Sequence, residues 1–184
     1  MPRLILPEGR TETLVDAINY LLSREGASGL SLRAIARVSR VSTSSMLHHF
    51  GSRERLLCVA AHRTSQARLK VMERRAGREG AAAFLPNDDD EEDLITARAW
   101  LAWCELWRCE PALTGTLTEA RDEEYLLLAR ILDVPVRAQS LASVMALIDG
   151  LLVAVCAPQR PLSPLHARDL LLGHLAGEPL LAAG

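Results

Sequence analysis

Aromatic residues make up only 4% of this 184-residue chain, and β-branched residues are sparse beside an abundance of Leu and Ala. Strands draw on aromatic and β-branched side chains, so the shortage argues against an all-β sandwich and for helices. Cysteine is scarce and scattered at Cys58, Cys104, Cys109 and Cys156. With no CxxC pair and no histidine at zinc-finger spacing, the four thiols suit a reducing compartment better than a disulfide framework or metal site. Long apolar runs are missing as well. The stretch from Leu141 to Ala157 is broken by Ser143, Asp149 and Gly150 and falls short of the roughly 20 apolar residues of a spanning helix, so no membrane segment is expected. Met1 to Arg10 shows no basic region followed by an apolar core, so no secretory signal is read and a cytoplasmic location is expected. None of GxGxxG, GxxxxGK[ST], GxSxG, HExxH or a Cys/His nucleophile arrangement occurs, and neither an enzyme nor a cofactor is expected.

What is present is a folded chain with its charge segregated. Hydrophobic residues at 49% and charged residues at 24% lie in the globular range. The net charge of −2 hides 13 basic and 6 acidic residues up to position 75, a surplus of +7, against 8 and 17 beyond it, a deficit of −9. A basic N-terminal part joined to an acidic remainder suits a polyanion-binding module attached to a body that stays off the polyanion.

The basic part reads as three short helices and the start of a fourth. Leu14, Val15, Ile18, Leu21 and Leu22 draw one apolar stripe along Arg10 to Glu25. Ser31 is an N-cap candidate for a second helix with Leu32, Ile35 and Ala36 facing inward. Ser42 is another, before a segment whose apolar positions are Met46, Leu47 and Phe50. Two short capped helices about three residues apart are what a helix-turn-helix requires, the second being the recognition helix. Its outward residues Thr43, Ser44, Ser45 and His48 allow close approach to base edges and phosphates, with Arg33, Arg37, Arg40 and Arg53 around them. The same spacing also suits a plain helical bundle with a basic surface.

The runs Ser31-Leu32-Arg33-Ala34-Ile35-Ala36, Val41-Ser42 and His48-His49-Phe50-Gly51-Ser52-Arg53-Glu54-Arg55-Leu56-Leu57 resemble the N-terminal DNA-binding domain of TetR-type transcriptional regulators, over roughly residues 10 to 65. Two positions depart from that pattern. Arg40 stands where the family has Gly in the turn, which implies strain or a rebuilt turn. Leu47 stands where the family has Tyr, and cannot donate a hydroxyl to a phosphate. The resemblance implies a DNA surface of Arg33, Ser42, Thr43, Ser44, Ser45, Leu47, His48 and Arg53, with Arg33 and Arg53 on phosphates.

Beyond the head, Ser52 to about Arg75 reads as one long linking helix. Gly77 to Gly80 and the acidic run from Asp88 to Asp93 mark the break after it. Six consecutive acids suit a solvated loop leading into a helix N-terminus better than a metal site. The helix from about Glu92 to Glu110 carries Trp100, Trp103 and Trp107 on one face. That stripe is either core or one wall of a ligand cavity with Cys104 beside it. The run from Arg98 to Leu113 and Ala146 to Leu152 resemble the BetI-like subgroup of TetR regulators. His62 and Met72 are the candidate neighbours from the linking helix. Two apolar terminal helices, Val136 to Ala157 and Ser163 to Ala176, carry more apolar surface than a small body can cover, which suggests a partner; an intramolecular core is the alternative. In the family they form a four-helix dimer interface, and Leu147, Gly150, Leu151 and Leu171 are its expected seam.

The expectation is thus an all-α protein: a helix-turn-helix domain over residues 1–51, and over 52–184 a linking helix with a ligand-binding and dimerisation body. Its expected partners are a double-stranded DNA operator, a small-molecule effector and a second copy of itself, with no metal. By resemblance it is a repressor released by its effector. A TetR-shaped helical dimer that binds a small molecule or protein partner, with weakened or lost DNA recognition, is the second possibility.

Overall fold

The computed structural model describes residues 8–87, 90–159 and 161–177. These residues form eight α-helices and no strand: α1 (Glu8–Glu25), α2 (Leu32–Ser39), α3 (Thr43–Phe50), α4 (Arg53–Glu79), α5 (Glu91–Cys109), α6 (Thr114–Leu132), α7 (Gln139–Cys156) and α8 (Pro164–Gly177). Short 3-10 turns at Ala27–Gly29, Gly80–Phe84 and Pro111–Leu113 join some of them. The all-α expectation holds, with α2 and α3 forming an N-terminal helix-turn-helix.

Hydroxyl and carboxylate caps set the starts of α2, α3, α4, α5 and α8. The Oγ atoms of Ser31, Ser42, Ser52 and Ser163 accept from the backbone N–H groups of Ala34, Ser45, Arg55 and His166 at 3.1–3.2 Å. Each occupies a donor that the first helical turn would otherwise leave bare. Asp90 does the same for α5, accepting from Glu92 at 2.9 Å. Asp88 and Asp89 lie outside the described residues.

Three ends differ from the sequence expectation. α4 continues through Gly77 to Glu79 and stops where Gly80 adopts φ +56°. Residues 80–84, read as a plain break, form a 3-10 turn with Ala81, Ala82, Ala83 and Phe84 all buried. α7 starts at Gln139 instead of Val136, because Pro135 and the turn after it precede the first hydrogen-bonded residue.

The chain divides into two compact units, residues 1–67 with 98–120, and residues 68–97 with 121–184. In the first, α1 packs on α2 and α2 on α3. Its fully buried side chains include Leu14, Ile18, Leu21, Ile35, Met46 and Trp103. In the second, α7 packs on α8, and α8 on the 80–84 turn. α7 is long and apolar enough, by length and composition, to cross a membrane, with a mean hydropathy of 1.8. The same composition serves a core helix, and Leu141, Val144, Met145, Ile148, Leu152 and Val155 of α7 are buried in this unit.

A cluster of four charged side chains fixes the second unit. Arg75 donates to Glu79 (2.9 Å), Asp93 (2.8 Å) and the Leu85 carbonyl (2.8 Å). Arg168 of α8 donates to Glu79 (3.0 Å) and to the Ala82 carbonyl (3.1 Å). Burial alone would raise the Glu79 carboxyl, but hydrogen bonds from Arg75, Arg78 and Arg168 outweigh it and bring the pKa down to about 2. A second chain of charges runs through the same unit: Glu124, almost fully buried, accepts from Arg68 and from Arg121, and Arg121 also donates to Asp149.

Candidate nucleic-acid interface

The turn between α2 and α3 is held by a serine the sequence analysis did not single out. Ser39 Oγ donates to the Ile35 carbonyl at 2.7 Å and accepts from Val41 N–H at 3.2 Å. Between these two anchors Arg40 sits in the left-handed region at φ +57°, ψ 22°. The arginine therefore bears a strained conformation that glycine would take without steric strain; the turn is not rebuilt. Two serine-to-backbone bonds bracketing the residue explain how it is held there.

The recognition helix α3 presents two faces. Met46 and Phe50 point into the core of the first unit, whereas Ser44, Leu47 and His48 are exposed at the i, i+3, i+4 spacing of one outward face. Ser42 is exposed at its start, with its hydroxyl 3.1 Å from that of Ser44, and Thr43 and Ser45 are half-buried at the edges. Gly51, at φ +82°, closes the helix with its N–H on the Leu47 carbonyl. Leu47, 39% exposed, puts an apolar side chain in the middle of a polar surface. Arg33 and Arg40 are exposed, and Arg37 lies 3.9 Å from Glu25 in a solvent-exposed pair.

Arg53 is different. At the first turn of α4 its Nη1 donates to Glu110 Oε1 at 2.7 Å, with both side chains about a quarter exposed. Cys58, one turn and a half along α4, donates its thiol to the Ala112 carbonyl at 3.2 Å. The N-terminal half of α4 is thereby bonded to the segment that follows α5.

The tryptophan stripe is deeply placed. Trp103 is fully buried and Trp100 nearly so, Trp107 and Cys104 are half-buried, and Glu105 faces solvent. The Trp103 indole N–H donates to Asn19 Oδ1 at 3.0 Å, and Asn19 is in turn bonded to the Thr64 hydroxyl at 2.9 Å. This joins α5, α1 and α4 inside the first unit. Asn19 and Thr64 carried no motif in the sequence; the only signal was a polar residue near the apolar stripe of α1. Of the two candidates from α4, His62 is exposed and Met72 is buried in the second unit.

Of the expected dimer seam, Leu151 and Leu171 are buried within the second unit, Leu147 is half-buried and Gly150 exposed. The side chains left open are Val153 on α7 and Leu165, Leu170 and Leu172 on α8. An open cleft of about 740 Å³ in the same unit is lined by residues from Leu126 to Val136. Among the described residues no group of three His, Cys, Asp or Glu side chains is placed to hold a metal ion.

Two capped helices meeting at a tight turn, with a buried inner face and a polar outer face ringed by arginine, define a helix-turn-helix head. Residues 14–58 match the family model described as bacterial regulatory proteins, tetR family. The chain is 29% identical over 167 residues, 82% of its own length and 84% of the relative's, to the HTH-type transcriptional regulator BetI of Burkholderia thailandensis. Among solved structures it is similar to a transcriptional regulator from Saccharomonospora viridis in complex with choline (TM-score 0.79, 17% identity, 94% and 98% of the two chains). It also matches a TetR-family regulator from Rhodococcus (TM-score 0.74, 21%, 92% and 98%) and the multidrug binding protein EbrR complexed with ethidium (TM-score 0.67, 20%, 91% and 99%). The family model thus covers the head, and over most of its length the chain is similar to a transcriptional regulator of helix-turn-helix type.

Proposed function

We propose that this regulator binds an inverted-repeat DNA operator as a homodimer in the cytoplasm, acts as a repressor without catalysing a reaction, and is released by a small molecule. The observation that carries the reading is the outward face of α3. Ser44 and His48 would meet a major groove, with Thr43 and Ser45 at the edges and Arg33, Ser42 and the N-terminus of α4 beside phosphates. A two-fold protein reads two-fold DNA, so two heads imply paired half-sites about one helical turn apart. The open side chains Val153, Leu165 and Leu172 support a second copy seated against α7 and α8, with Gly150 allowing close helix approach.

The effector is assigned to the tryptophan stripe, with Trp107 and Cys104 as its accessible members and Trp100 and Trp103 behind them. A cation is the favoured class, because an indole face attracts one, and choline and ethidium, bound by similar proteins, are both cationic. Release requires the effector to bind one spacing of the heads better than the other. The test selects a duplex from a random pool, footprints it, and then adds choline or ethidium while following tryptophan fluorescence. Protection of a two-fold site that is lost on ligand addition is expected. No protected DNA at low salt overturns the reading and favours a dimer that has lost DNA recognition, to which the apolar Leu47 on α3 points.

A further inference from the structure

Arg53 and Glu110 lie 57 residues apart, yet they form a part-buried ion pair. One guanidinium nitrogen meets one carboxylate oxygen at 2.7 Å. An arginine offers five N–H donors in a planar fork that accepts a carboxylate or phosphate through two parallel bonds; here the second bond is not made. Both side chains are about a quarter exposed, 29% and 26%. A monodentate, solvent-touched ion pair contributes little to stability. It does fix where the guanidinium points.

The position of the pair gives that orientation a consequence. Arg53 opens α4 directly after the Ser52 cap, and the preceding α3 carries the exposed Ser44 and His48. Glu110 follows α5, the helix of the tryptophan stripe, and both residues belong to the first compact unit. A carboxylate is the closest side-chain relative of a phosphate: anionic, planar in its two oxygens and able to take the same fork. We propose that Glu110 is an intramolecular stand-in for a DNA phosphate, holding Arg53 away from the duplex so that the free protein's affinity is set below what its arginines would otherwise give. The inference rests on the DNA-binding reading above. Glu110 acts in two ways in the same direction, by occupying a donor and by placing a negative charge beside the approaching backbone. Because Glu110 directly follows the tryptophan helix, a shift of α5 would alter how tightly Arg53 is held.

The experiment measures binding of a mixed-sequence duplex at low salt by fluorescence anisotropy for the full chain and for Glu110→Gln, Arg53→Gln, the double variant and Glu105→Gln. Glu105 is an exposed acid of α5 that faces solvent, so its neutralisation controls for net charge alone. Freeing one arginine per head gives Glu110→Gln about two- to five-fold tighter binding, the range of an exposed ion pair. The slope of log affinity against log salt steepens by about 0.9 for each added phosphate contact. The gain disappears in the double variant and is absent from Glu105→Gln. Unchanged or weaker binding by Glu110→Gln, with wild-type binding intact, refutes the stand-in role and leaves the DNA reading in place; a lowered melting temperature in that variant would make the pair a brace. An equal gain in Glu105→Gln reduces the effect to net charge and also refutes it. Absence of duplex binding by every protein, wild type included, overturns the DNA reading and the proposal together.

Discussion

Replacing Glu79 by Gln removes the one acceptor shared by Arg75, Arg78 and Arg168 while keeping side-chain volume, and the structure sets the size of the effect. The carboxyl falls from an ordinary 4.5 to about 2 in the folded chain, a change worth about 3 kcal/mol at 1.36 kcal/mol per tenfold change in proton affinity. Solvent at the rim of the cluster, where Arg78 is largely exposed, reduces what is realised to about 1–2 kcal/mol. The sign follows from the lowered folded-state value: the contribution is fully present above pH 4.5 and is lost as pH falls toward 2. Urea unfolding of both proteins at pH 7, with protein concentration fixed because association adds to apparent stability, should show Glu79→Gln less stable by that amount. Repeating the comparison between about pH 5 and pH 3 should show the gap narrowing steadily. A gap that stayed constant with pH would mean that packing around residue 79 matters and its charge does not, and the reasoning would be wrong.

Three further outcomes are expected. Asn19→Leu leaves the buried Trp103 N–H and Thr64 hydroxyl without their partner and should cost about 1–3 kcal/mol in chemical unfolding; an unchanged midpoint would remove the cluster's structural role. Arg40→Gly relieves the left-handed strain at φ +57° and, after the added chain entropy of glycine, should raise stability by about 0.5–1 kcal/mol, which a lowered melting temperature would contradict. Val153→Glu, on the open face of α7, should convert the proposed dimer to a folded monomer in sedimentation velocity, since a charge in a closed apolar interface costs several kcal/mol; a dimer that persists would place the interface elsewhere.

The parts of the fold that could be seen in the sequence are those decided within a few residues. Ser31, Ser42, Ser52 and Ser163 each cap a helix through a bond to a backbone N–H three residues on, so position and residue type suffice to find them. The conformation of Arg40 follows from no local rule: only the glycine that the resembled family has there implies either strain or a rebuilt turn, and the structure shows the strain. Bonds spanning 45 to 89 residues were not visible: Asn19 with Thr64, Trp103 with Asn19, Arg168 with Glu79. Nothing in the local pattern distinguishes such a side chain from a surface residue. The face that α7 leaves open was illegible for another reason. The helix is apolar nearly all round, so periodicity cannot say whether Leu151 or Val153 turns inward; the packing of the second unit buries Leu151 and leaves Val153 exposed. Arg53 was assigned to phosphate from its place after α3; the carboxylate it meets lies far along the chain.

The central claim is that the first unit is a DNA-binding head, and the salt dependence of duplex binding tests it most directly. Two heads, each with the exposed cations Arg33, Arg37 and Arg40 around α3, should neutralise on the order of six phosphates, and affinity for a selected duplex should fall about a thousandfold between roughly 50 and 200 mM salt. Binding that is absent at the lower salt, or that does not change across the range, would contradict the account.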